Sequence, residues 1–333
     1  MRNKFKKVAI LILLPLVIFC SSWGFLVHKT VNQLAIYELP KSIRPFFSKN
    51  MKYIVDNAVR PDQRRNTDST EAPKHFIDLE MYGDSAAWKM PMRWEDAVKI
   101  YSKDTLYKYG YVPYHVIRML ELLTVAFRAR NKDSIVFYAA DLGHYIGDAN
   151  VPLHTSVNYD GQMSNQKGLH ALWESTIPEI ELDQYSLKSR RKANYLEHPD
   201  QAIWNAIRKA HQLLDDVFKE EKEASIGLPD SAKFKTETRR GREVKTFSNE
   251  FAKAYSERLG GEVLSQLMNS ANLIADFWYT AWVNAGKPDL SGILPAPFEK
   301  VDKKELKKEE KAFHHGDLIE KKMLIGRMQP TSG

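Results

Sequence analysis

Apolar residues recur at helical spacing through most of this chain. Residues 25–39 carry apolar side chains every three or four positions and stop at Pro40, which predicts an amphipathic helix. Residues 112–130 place Val116, Met119, Leu120, Leu123 and Phe127 on one face, behind Pro113 in the first turn. A second long helix is expected over 134–150, ended by the Val151-Pro152 pair, and a shorter one over 168–177, ended by Pro178. Two long amphipathic stretches, 201–219 and 250–285, complete the pattern, with Trp278 and Trp282 one turn apart in the second. Few runs alternate with the period of a strand, and no internal repeat is found. The expected fold class is mostly α, a single multi-helix domain.

Two segments break the pattern. Residues 221–245 are polar and charge-rich around Gly227-Leu228-Pro229, and read as a surface insertion or mobile loop. From about residue 299 the chain is rich in Lys and Glu, and reads as a charged tail outside the fold, a solvated helix or disorder.

The first residues have three parts: basic MRNKFKK, apolar VAILILLPLVIF, then CSS. That order is the pattern of a secretory signal. The apolar run is short for a membrane span, which needs about 20 residues. An uncleaved anchor and a lipid on Cys20 are the alternatives; Phe19 stands where a lipid signal wants a small residue. Cleavage after Ser22 puts small residues at both recognition positions. The expected organisation is a signal peptide at 1–22, one domain at 23–298 and the charged tail at 299–333. The product would be exported, to the periplasm or beyond the cell.

The formal charge is +7. Residues 1–22 hold four of the cations and no acid, so +3 remains for residues 23–333, a balance that neither requires nor excludes a polyanionic substrate. Cys20 is the one cysteine, so residues 23–333 can form no disulfide and offer no thiolate to a metal.

The densest chemistry is DLGHYIGDANVPLH, residues 141–154. His144 and Asp148 lie four apart and face one side of a helix. His154 follows the helix-ending Pro152, and His170 and Glu174 repeat the four-residue spacing on the next helix. One such pair is commonly a surface ion pair. Two pairs and a further histidine between positions 144 and 174, in a chain with ten histidines, point to a metal site built as helical bundles build them. Imidazole and carboxylate donors without thiolate suit zinc, whereas calcium would call for oxygen alone. RPDQRR and EAPKHFIDLE add Asp62, His75 and Asp78, and His28 follows Trp23 by five positions.

The ordered series Trp-x4-His, Asp, His-Phe-x-Asp, Gly-His-x3-Asp-x3-Pro-x-His and His-x3-Glu resembles the superfamily of bacterial zinc-dependent phospholipases C and fungal single-strand-specific zinc nucleases. The resemblance runs from Trp23 to about Glu179. It implies that superfamily's helical fold and a cofactor of three zinc ions. One would be held by Asp62, His75 and His144, and a second by His154, His170 and Glu174. The third would be held by His28, Asp148 and the amino and carbonyl groups of Trp23, with Asp148 bridging to the first. Only cleavage before Trp23 frees that amine. The implied reaction is hydrolysis of a phosphoric ester, with Asp62 orienting or deprotonating the attacking water and Asp148 essential to the metal pair.

The substrate evidence is divided. The Trp23–His28 spacing, Arg65 at the position of a phosphate-binding arginine, and Phe76 and Asp78 at the positions of base-stacking and base-bonding residues resemble the nucleases. Glu174 in place of Asp and the short loop 155–169 resemble the phospholipases. The choline-binding residues of those enzymes are absent, since Leu26, Gln63 and Ala72 stand there. Single-stranded nucleic acid is slightly favoured over phospholipid as substrate, no stable protein partner is implied, and a non-catalytic zinc-binding envelope protein is the alternative of another class.

Overall fold

The computed structural model describes residues 24–239 and 242–327. The signal-peptide reading and the Trp23 ligand lie outside the described residues. The first helix, α1 (Phe25–Glu38), runs through the middle of the molecule, and Val31, Leu34, Ala35 and Ile36 on it are wholly buried. It packs against α2 (Met51–Asn57), against the helix Lys132–Asp148 and against the late helix Glu262–Asn284. α3 (Arg60–Arg64) and α4 (Ala86–Lys89) are single turns on the connecting segments. α5 (Val112–Arg128) buries the predicted stripe Val116, Met119, Leu120, Leu123 and Phe127. α6 (Lys132–Asp148) is capped by Asn131, whose side chain accepts from the Ser134 N–H at 2.9 Å.

Pro178 does not end the next helical rod, α7 (residues 169–181). The turn before it, Leu172–Thr176, is a π-helix, and α-helical geometry resumes at Ile177–Glu181 with Pro178 in its first turn. The widened turn accommodates the missing proline N–H. The stretch 201–219 divides at Leu213 into α8 (Pro199–Gln212) and α9 (Leu214–Ala224). The stretch 250–285 divides at Gly260-Gly261, whose φ values of +60° and +87° no helix interior can hold. The result is α10 (Asn249–Leu259) and α11 (Glu262–Asn284). On α11, Trp278 donates to the Ala139 carbonyl at 3.0 Å and stacks on Phe47 at 4.9 Å.

Two expectations are corrected. Much of the charge-rich segment is ordered as an antiparallel hairpin, β1 (Phe234–Arg239) and β2 (Arg242–Phe247), paired from Phe234↔Phe247 outward. Phe234, Phe247 and Phe251 stack in series and anchor it. The tail after 299 is not outside the fold. α12 (Lys300–His315) buries Leu306, Ala312 and Phe313, and Leu318 and Leu324 beyond it are buried too. Phe313 meets Tyr37 at 5.3 Å, Glu309 accepts from the Tyr37 hydroxyl at 3.2 Å, and Glu310 pairs with Arg44. Gln33 of α1 bonds both Met323 O and Ile325 N. The apolar stripe is narrow, and the acids beside it find buried partners, so composition alone conceals it.

The buried apolar residues form two clusters, a large one around α1, α5, α6 and α11 and a smaller one around α7, α9 and α10. No helix among the described residues is long and apolar enough to cross a membrane.

Candidate metal centre

The seam between the two apolar clusters is where the chemistry-bearing side chains meet. Gly143 and Gly147 flank His144 on α6 and let α1 come close. A Cβ at Gly143 would stand 2.8 Å from Asn32 Cγ, and one at Gly147 would stand 3.0 Å from His28 Nδ1. The approach stacks the His28 and His144 rings with centroids 4.0 Å apart. α3 brings Asp62 to the rim, a 3₁₀ turn at Ala72–Lys74 brings His75 inward, and the single turn at Pro152–Thr155 folds His154 back beside His75.

Around a divalent cation with bonds of about 2.0–2.1 Å, the edges of a tetrahedron are about 3.4 Å long. The donors here stand at that spacing. His75 Nδ1 lies 3.1 Å from His144 Nε2, and Asp62 Oδ1 lies 3.8 Å from each. His28 Nε2 lies 3.4 Å from Asp148 Oδ1 and 3.4 Å from Glu174 Oε1. His154 Nε2 is 2.9 Å from His170 Nε2 and 3.4 Å from Glu174 Oε2, and His170 to Glu174 is 2.7 Å. Among the described residues three groups have the spacing to hold a metal ion, Asp62–His75–His144, His28–His144–Asp148 and His154–His170–Glu174, with His144 common to the first two. Two carboxylates each face two groups. Asp148 turns Oδ1 to His28 and Oδ2 to His75 at 2.9 Å, while Glu174 turns Oε1 to His28 and Oε2 to His154 and His170.

The tautomers are set from outside. His144 Nδ1 donates to the Ala58 carbonyl at 2.8 Å and His154 Nδ1 to the His75 carbonyl at 2.7 Å, which leaves both Nε2 lone pairs for the centre. Burial would raise the Asp148 carboxyl, but His144, His154 and His75 outweigh it and hold it below its ordinary range. Burial alone would lower His154, but Asp148 and Glu174 push it up to about 9. Burial brings His144 down to about 4. The carboxylates thus call for positive charge inside a dry pocket, which a cation supplies as well as a proton does. The residues fit a divalent metal.

The Asp78 backbone N–H bonds Tyr109 O at 2.8 Å, and burial with the neighbouring Glu80 charge raises its carboxyl to about 7. The support behind His75 is Glu71, which is fully buried. It stands 3.5 Å from His75 Nε2, takes Lys74 at 2.7 Å and Arg64 at 3.2 Å, and accepts from the Tyr145 hydroxyl. Arg64 and Arg60 both also reach Asp141, at 2.8 Å and 2.6 Å. The Glu-x3-His spacing of Glu71 and His75 was the available signal. Arg65 sits at the rim, half exposed, 3.5 Å from Asp62. Phe76 is half-buried beside His75, and Tyr159 of the 155–168 loop sets its ring edge-on to His170 at 6.2 Å. Trp173 is core, bonded to Glu262 at 2.8 Å.

A profile of the S1/P1 nuclease family matches residues 23–270. Fold, clustered donors and family match agree with one another. The chain belongs to the S1/P1 nuclease family. Its fold is also similar to the solved alpha toxin from Clostridium absonum, at 13% identity and TM-score 0.43 over 81% of this chain and 65% of that one. An alpha-toxin from an avian strain of Clostridium perfringens is similar at 14% identity and TM-score 0.44, over 80% of this chain and 65% of the toxin. The chain therefore spans just under two thirds of the length of these toxins. A comparison with curated proteins found no matching sequence.

Proposed function

We propose that this chain is an exported zinc-dependent phosphodiesterase of the nuclease type, acting on single-stranded nucleic acid with three zinc ions. The observation that carries the reading is the meeting, at tetrahedral spacing, of eight donor residues spread over 147 positions, from His28 to Glu174, in a chain of a nuclease family.

Asp62, His75 and His144 would hold one ion, His154, His170 and Glu174 a second, and His28 and Asp148 the third with the Trp23 amino and carbonyl groups. Bound zinc supplies Lewis-acid polarisation of the phosphoryl group and acidifies water at the site. Asp62 is the one ligand carboxylate at the rim, so it orients the attacking water and accepts its proton. Arg65, beside it, balances charge on a phosphate oxygen. Phe76 offers a ring face, and Asp78 a carboxyl, to a base next to the scissile bond. The buried Asp148 keeps two ligand groups in register.

Elemental analysis of the protein beginning at Trp23 should give close to three zincs per chain, and hydrolysis should be fastest on single-stranded DNA or RNA. Adding one residue before Trp23 should weaken one zinc and cut turnover. Little zinc would end the reading; phospholipid cleavage without nuclease activity would favour the phospholipase alternative, to which Glu174 and the short loop point.

A further inference from the structure

Trp88 is 50% exposed, yet its place is tightly fixed. Its helix, α4, is pinned to α8 by Arg208, whose Nε donates to the Ala87 carbonyl at 2.8 Å. Near the end of α8, the His211 ring stands 6.3 Å from the Trp88 ring, with the planes 62° apart. The two rings make a corner with an open indole face.

His211 is tied to the metal-ligand segment. Its Nδ1 lies 3.1 Å from the hydroxyl of Thr155, the residue after His154. The Thr155 hydroxyl gives its own proton to Pro152 O at 2.7 Å. The histidine therefore donates through Nδ1, and Nε2 is its acceptor nitrogen. Burial keeps this ring below the ordinary histidine range, hence neutral. Glu80 fixes the same edge, accepting from Ser156 at 2.5 Å and from the Val157 N–H at 3.1 Å.

We propose that Trp88 and His211 form a second base-binding corner, taking one nucleobase of the bound strand. The inference rests on the nuclease reading above. A nucleobase matches what the corner presents, an open aromatic face for stacking and a fixed nitrogen acceptor for a ring or exocyclic N–H. A lipid chain would meet His211, Thr155 and Glu80. A quaternary ammonium would find Glu80, one of the two carboxylates whose charge acts on His211, already engaged by Ser156 and Val157.

The test is steady-state kinetics of the zinc-loaded protein on a single-stranded trinucleotide and on the same trinucleotide with one base at a time replaced by an abasic sugar. Trp88→Ala should raise KM for the full substrate about 5- to 150-fold, the range expected of one lost base stack, with little change in kcat. Trp88→Phe should keep KM near wild type, and His211→Ala should raise it by a smaller factor. For one abasic substrate the Trp88→Ala effect should vanish. Thermal melts of the variants should match wild type. An unchanged KM in Trp88→Ala, or an equal rise on every abasic substrate, would overturn the corner. If the wild-type protein cleaves no trinucleotide at all, the nuclease reading fails first, and the corner fails with it.

Discussion

Replacing Glu71 by Gln isolates what a buried, unliganded carboxylate does for the metal centre. Glu71 touches no cation site directly; it reaches His75 Nε2 at 3.5 Å while His75 Nδ1 faces the ligand group. A carboxylate behind a histidine ligand raises its basicity and holds its ring, and losing one typically costs about 10- to 100-fold in metal affinity. The separation is long for a hydrogen bond, which argues for the lower part of that range. Lys74, Arg64 and the Tyr145 hydroxyl all converge on Glu71, and Tyr145 also packs edge-on against the His75 ring at 5.3 Å. An amide keeps the volume but loses the charge, so His75 loses its anchor and its neighbours lose theirs. The fold itself should lose about 1–3 kcal/mol, the cost of a disrupted buried hydrogen-bond network. Burial would raise the Glu71 carboxyl, but His75, Lys74, Tyr145 and Arg64 outweigh it and hold it far below the usual carboxylate range. For an acid whose folded pKa is depressed, the contribution is complete above the ordinary carboxylate pKa and disappears as pH falls toward the folded value. Wild type should therefore lose stability on acidification more steeply than Glu71→Gln. Zinc affinity is read by competition with a coloured chelator, and stability by urea unfolding of the metal-free proteins from pH 3 to 7. Unchanged affinity for every zinc in Glu71→Gln would refute the anchoring role, whatever happened to stability.

Gly143→Ala should destabilise the fold by about 1–3 kcal/mol through overpacking against Asn32, and Asn32→Ala in the same chain should restore much of the loss; urea midpoints decide it. Phe313→Ala should cost about 3–5 kcal/mol, because the ring is fully buried against the main cluster. A midpoint equal to wild type would mean the tail is dispensable after all.

The membership of the helices and the spacing of the candidate ligands were legible in the chain, because both are short-range. Residues four apart on a helix share a face whatever surrounds the helix, so His144 with Asp148 and His170 with Glu174 could be paired without a structure. The hairpin and the closing helix α12 were hidden, since composition reports solubility, whereas Phe313 and Glu310 are defined by partners on Tyr37 and Arg44, more than 250 positions away. Separation in sequence likewise hid what the tertiary structure alone decided at the site. The fold turned one Glu174 oxygen toward His28 and the other toward His154, and set Trp88 beside His211. Periodicity assigns a residue to a face, but the groups it meets there depend on how closely α1 packs on α6, a closeness that two glycines permit.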